Sequence, residues 1–204
     1  MLFDDTYKTI ENPAEGVFRD RGSKFLAYAY PISSENDIKA IVARLKSEHP
    51  KANHHCWAMR LTIDRSVFRV NDDGEPSGTA GRPILNTLLS KDLTNLLVVV
   101  VRYFGGTLLG VPGLINAYKA ATEDALNQSV IISKTVNDVY TISFDYLQMN
   151  DVMRLIKEEG LTILSQQFDN DCNLQVAIRK MQVNQVLARL DKVDGVTTKY
   201  ENSI

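Results

Sequence analysis

Two stretches of the chain concentrate residues that could grip a ligand. The first, DDGEPSGTAGRP at 72–83, is spaced by Gly74, Pro76, Gly78, Gly81 and Pro83 and leads into a helical pattern. A loop of this kind can aim several backbone N–H groups at one anion, and the dipole of the helix it opens adds about 0.3–1 kcal/mol of attraction. Ser77 and Thr79 offer hydroxyl donors, and Arg82 offers a charge. The second, RYFGGTLLGVPG at 102–113, follows an apolar run. Its Gly105, Gly106, Gly110 and Gly113 let the backbone approach a ligand closely. Strand, glycine loop and helix is the layout that holds phosphate groups.

Neither loop meets the sharper tests for a nucleotide fold. Gly105 and Gly110 have the P-loop gap, but Val111 stands where lysine is required, and GxGxxG is absent from both stretches. An EF-hand loop would need ligands at Arg69 and Ala80. Asp72, Asp73 and Glu75 have the chemistry to hold Mg²⁺, yet adjacent acids on a strand point to opposite faces and turn acids are usually solvated. His54 and Cys56 share one face of a strand while His55 takes the other, leaving two ligands where zinc wants three or four. The reading is therefore no metal and no cofactor, with Cys56 a small buried hydrophobe.

Charge is organised locally. The chain has 23 Lys and Arg against 25 Asp and Glu, a formal charge of −2, which excludes a strongly basic nucleic-acid coat. Residues 19–69 nevertheless hold ten basic residues against five acids. Lys51, His54, His55 and Arg60 cluster there beside Trp57, with Tyr28 and Tyr30 in the same stretch. This pattern fits a footprint on a phosphate backbone, and it equally fits a mixed solvated surface.

The elements that must position these residues belong to an ordinary globular protein: 204 residues, 44% hydrophobic and 24% charged. Cys56 and Cys172 give no CxxC pair and no recurrent spacing, so neither a disulfide framework nor a structural zinc site is expected. The first residues, MLFDDTYKTI, do not resemble a signal peptide, and LLVVVV at 96–101 is too short to cross a bilayer. A cytoplasmic protein without a membrane partner is expected. EGVFRD and KFLAYAYPI read as strands around an Arg21-Gly22 turn. Ser34 with Asp37 resembles a capping box before Ile38, Ile41, Val42 and Leu45. HHCWAMRLTI and VFRVN read as strands around Asp64-Arg65. LLVVVV predicts a strand covered on both faces, and Leu114, Tyr118, Ala121 and Ala125 line one side of a helix.

Residues 127–137 break one pattern before another begins, which predicts two domains, 1–130 and 135–204. Beyond the break the order is β-α-β-β-α-β, the ferredoxin-like arrangement, with Asn170-Asp171 as a turn. Leu174, Val176 and Ile178 must face its helices. Thr141, Ser143, Asn173 and Gln175 then face outward, so this sheet lacks an aromatic platform for stacking bases.

DDGEPSGTAGRP and VVVVRYFGGTLLGVPGL, with EHPKANHHCWA upstream, closely resemble the IMPACT/YigZ family. The matching positions are Asp72, Asp73, Gly74, Glu75, Pro76, Gly78, Thr79, Ala80, Gly81, Arg102, Tyr103, Gly105, Gly106, Gly110 and Gly113. The resemblance implies an α+β, two-domain protein. Its N-terminal domain would resemble the second domain of small-subunit ribosomal protein five, and its C-terminal domain the fifth domain of elongation factor G. Eukaryotic members regulate translation, and the resemblance implies contact with RNA, the ribosome or a translation-associated protein. Three readings stay open. The leading one is a non-enzymatic factor that uses Lys51, His54, His55, Arg60, Arg82 and Arg102 as phosphate contacts in a cradle shaped by Gly78, Thr79, Gly105 and Gly106. The others are a Mg²⁺-dependent enzyme acting on a nucleotide or phosphoester, and a protein-binding adaptor.

Overall fold

The computed structural model describes residues 5–62, 66–168 and 172–204. Both turns expected at Asp64-Arg65 and Asn170-Asp171 lie outside the described residues. The chain is a mixture of strands and helices that divides into two compact units, Tyr7–Lys134 and Thr135–Ile204, the latter joined by Asp5 and Thr6 from the start of the chain. Among the described residues no helix is long and apolar enough to cross a membrane.

The first unit is built on a five-stranded antiparallel sheet. Its strands are β2 (Ala14–Asp20), β3 (Ser23–Pro31), β4 (His54–Leu61), β5 (Val67–Asn71) and β6 (Leu96–Tyr103), in the order β2-β3-β6-β4-β5. Alternation along β6 fills two cores. Leu96, Val98 and Val100 pack with α2 (Gly81–Ser90) and α3 (Gly110–Asn127), while Leu97, Val99 and Val101 pack with α1 (Asn36–Glu48). The absence of polar alternation in LLVVVV is thus the mark of a central strand with helices on both faces.

Local chemistry sets the connections. Asp20 pairs with Ser23 across a two-residue hairpin whose Arg21 and Gly22 have φ of 43° and 80°, the left-handed pair that matches strand twist. Gly16 admits α3 against β2, since a Cβ there would lie 2.2 Å from the backbone nitrogen of Ala125. At the start of α1 only half of the expected capping box forms. The Asp37 carboxylate accepts from the backbone N–H of Ser33 and Ser34, but the N-cap is Glu35 and its side chain caps nothing.

Two strands escaped the sequence reading. β1 (Thr6–Ile10) pairs with β7 (Ile131–Thr135), the latter inside the stretch expected to be a connector. Their partners lie at opposite ends of the first unit, so neither run announces the other.

In the second unit β8 (Asn137–Phe144), α4 (Met149–Glu158), β9 (Thr162–Phe168), β10 (Cys172–Arg179), α5 (Val183–Leu190) and β11 (Thr197–Ser203) make a sheet of order β11-β8-β10-β9. Ile142, Leu174, Val176 and Ile178 meet Val152, Ile156, Val186 and Leu190 in one core. The other face is polar, with Ser143 bonded to Asn173 and Ser165 to Gln175 across strands. Asp5 closes the unit by accepting two bonds from Arg179, which hold its carboxyl below the usual range.

Candidate functional site

Beyond β5 the chain turns sharply at Asp73 and Gly74, with φ of 42° and 90°. Asp72 folds its carboxylate back over the loop that follows. It accepts from the backbone N–H of Gly78 at 2.8 Å, Ala80 at 3.1 Å and Gly81 at 2.8 Å. The last two are donors at the N-terminus of α2, which the helix cannot satisfy itself. Thr79 turns inward and donates its hydroxyl to the Pro76 carbonyl. The amides expected to grip an external anion are therefore held by the chain's own carboxylate.

The other acids are engaged as well. Asp73 accepts from the His55 backbone N–H at 2.7 Å and pairs with Lys46 at 3.3 Å. Glu75 turns into the interior. Asp72, Asp73 and Glu75 thus serve three different sets of donors, and no metal-holding group of three or more ligands occurs among the described residues.

Glu75 meets Arg102, from the end of β6, in a buried ion pair. Nη1 of Arg102 lies 2.5 Å from Glu75 Oε1, and the two side chains are 6% and 4% exposed. Tyr118 of α3 donates its hydroxyl to the same oxygen at 2.7 Å, and the Cys56 thiol donates to Tyr118 at 3.3 Å. Burial pushes the Cys56 thiol and the Tyr118 hydroxyl far up, so both stay protonated and act as donors. His54 lies 3.9 Å from Glu75 Oε1 through Nε2, while its Nδ1 is 2.8 Å from the Asp73 carbonyl. A carbonyl can only accept, so Nδ1 carries a proton. Phe25 and Phe104 rings flank the Arg102 guanidinium at 5.4 and 5.6 Å.

The second loop is fastened to the same end of the sheet. Phe104 N–H donates to Asn53 Oδ1, and Gly105 N–H donates to Ser23 Oγ. Gly105 abuts the β2–β3 turn so closely that a Cβ would come within 1.9 Å of the Gly22 carbonyl carbon. Both loops therefore converge. Between them lies a cavity of about 440 Å³ with Asn53, His54, Glu75 and Arg102 on its polar side and Phe104, Leu108, Val111 and Leu114 on its apolar side.

The structure separates the cations expected to act together. Lys51 and Arg82 are exposed. Arg102 is interior, and so is Arg60, which donates to the Leu93 carbonyl at 3.1 Å. Their guanidinium groups face protein rather than solvent, because each finds a buried acceptor. His54 is partly exposed and His55 is buried. Asn53, Phe104 and Leu108 went unnoticed in the sequence, and Val111 was read only as the residue standing where a P-loop lysine would be. The available signal was the placing of bulky apolar residues in a glycine-rich loop, where they have no core to join.

The Impact N-terminal domain model matches residues 21–126. An IMPACT family member of Haemophilus influenzae is 36% identical over 163 residues, covering 79% of both chains. The IMPACT family member YigZ of Escherichia coli is 33% identical over 180 residues, 87% of this chain and 88% of its own. A crystal structure described as a hypothetical protein superposes with a TM-score of 0.71 at 30% identity, covering 98% of each chain.

Replacing Asp72 by alanine strands three backbone donors at the start of α2, and urea unfolding should show a loss of about 3 kcal/mol. His55 supplies a pH dependence. Burial lowers its pKa from the ordinary 6.5, more than Asp73 raises it. The folded state therefore binds this proton less readily than the unfolded state. Its contribution to stability is complete above pH 6.5 and is lost as the pH falls toward the folded value. Unfolding midpoints measured across this range should fall more steeply with acid in the parent than in His55→Gln.

Proposed function

The chain belongs to the IMPACT family, and on that premise we propose that it is a cytoplasmic regulator of translation that binds RNA, on the ribosome or free. The contact surface is the end of the five-stranded sheet where both glycine-rich loops meet. The observation that carries this reading is the set of cations left open there. Much of the basic excess of residues 19–69 is neutralised at home: Arg44 pairs with Glu48, Lys46 with Asp73 and Arg69 with Glu35. Arg21, Lys24 and Lys51 have no ion pair among the described residues. Lys24 pairs in register with Tyr103, and Lys51 stands two residues before Asn53, which holds the Phe104 amide. These three charges thus border the loop after β6, and a phosphate backbone can be met there by side chains where the loop amides are spent.

The strand order β11-β8-β10-β9, with both helices on one face, supports a ferredoxin-like second domain similar to the fifth domain of elongation factor G. The five-stranded sheet supports the likeness of the first domain to the second domain of ribosomal protein five. The polar open face of the second sheet favours a supporting role over base stacking. A protein-binding adaptor is the second reading, favoured by the exposed side chains of Phe104, Leu108 and Val111.

Fluorescence anisotropy with a labelled single-stranded RNA, repeated over a salt series, tests the RNA reading. The triple variant Arg21→Ala, Lys24→Ala, Lys51→Ala is expected to bind more weakly and to flatten the log K against log salt slope by about 2. Binding indifferent to salt and to these substitutions would refute it.

A further inference from the structure

We infer that the cavity between the two loops receives a guanine base. Its volume, about 440 Å³, falls within the range of roughly 300–1,000 Å³ typical of small-ligand pockets. The Arg102–Glu75 pair on its polar side is electrically balanced, so a lone anion meets no surplus charge there. The hydrogen-bonding capacity of the pair is far from spent. Arg102 uses Nη1 on Glu75, while its Nη2 donates to none of the described residues. Glu75 receives Arg102 and Tyr118 on Oε1, and its Oε2 accepts from none of the described residues. Asn53 gives its Oδ1 to the Phe104 amide and keeps its NH₂ as a donor.

A guanidinium donor beside a carboxylate acceptor suits a neutral planar ligand that presents an acceptor next to donors. Guanine does so, with O6 adjacent to N1–H and the N2 amine. Its N1–H and N2–H face the carboxylate while O6 faces the guanidinium. Adenine would turn the N1 lone pair toward the same carboxylate. The apolar side completes the fit: Phe104, 45% exposed, offers a ring on which a base can stack, and Leu108 and Val111, 82% and 52% exposed, add aliphatic contact. This inference deepens the RNA reading when the base is part of a strand; a free guanine nucleotide carries the same chemistry.

The probes are a fluorescent oligouridylate with one central guanine, the same strand with adenine instead, and guanosine monophosphate measured by calorimetry. Binding about tenfold tighter for the guanine strand is expected. Val111→Trp, which fills the cavity from its apolar wall, should erase that preference. Preference in strands without mononucleotide binding identifies RNA as the source of the base. Mononucleotide binding without strand binding supports the pocket and overturns the RNA reading. Equal affinity for both strands with no mononucleotide binding overturns the pocket and leaves the RNA reading standing. Failure of all three probes to bind overturns both.

Discussion

A carboxylate and a guanidinium withdrawn together from water hold this site in shape. Glu75 rises from the first glycine-rich loop and Arg102 from the strand that launches the second, so their contact fixes one loop against the other. Removing one partner of such a pair leaves an uncompensated charge in the interior, at a cost of about 3–5 kcal/mol. The surroundings reinforce the pairing. Tyr118 supplies a second donor to Glu75, and two aromatic faces enclose the guanidinium. Asp72 does comparable work one turn earlier by holding the amides that would otherwise leave the loop open.

This economy changes what the site can recognise. Loop amides already engaged by Asp72 are not available to a phosphate, and two of the arginines in the basic stretch and its neighbouring loop lie inside the protein. Lys24 and Lys51 stand beside the loop after β6, while the cavity offers paired hydrogen-bonding groups beside an apolar wall. On the proposed RNA reading, backbone attraction falls to Arg21, Lys24 and Lys51 and base discrimination to Glu75 and Arg102.

The patterned parts of the fold were legible from residue order. The unbroken apolar run of β6 announced its two-sided burial, Arg21-Gly22 announced a tight hairpin, and the alternation in Leu174, Val176 and Ile178 assigned the inner face of the second sheet. The family motifs were legible too, and they marked both loops. What those motifs could not convey was direction. An acid beside a glycine reads alike whether it faces solvent or caps a neighbouring helix, and Asp72 does the latter. An arginine at a strand end reads as an available charge until a buried carboxylate is brought to it from another loop. Tyr118 read as one more member of a helical stripe, since nothing local indicated a carboxylate opposite its hydroxyl. β1 and β7 were missed because pairing between remote runs leaves no local periodic mark.

The most direct test of this account is a double-mutant cycle on Glu75 and Arg102, followed by urea unfolding. Glu75→Gln and Arg102→Met should each lose about 3–5 kcal/mol, and the double variant should lose less than their sum by about 2 kcal/mol or more. Strictly additive losses would contradict it, because the two loops would then be held independently of each other.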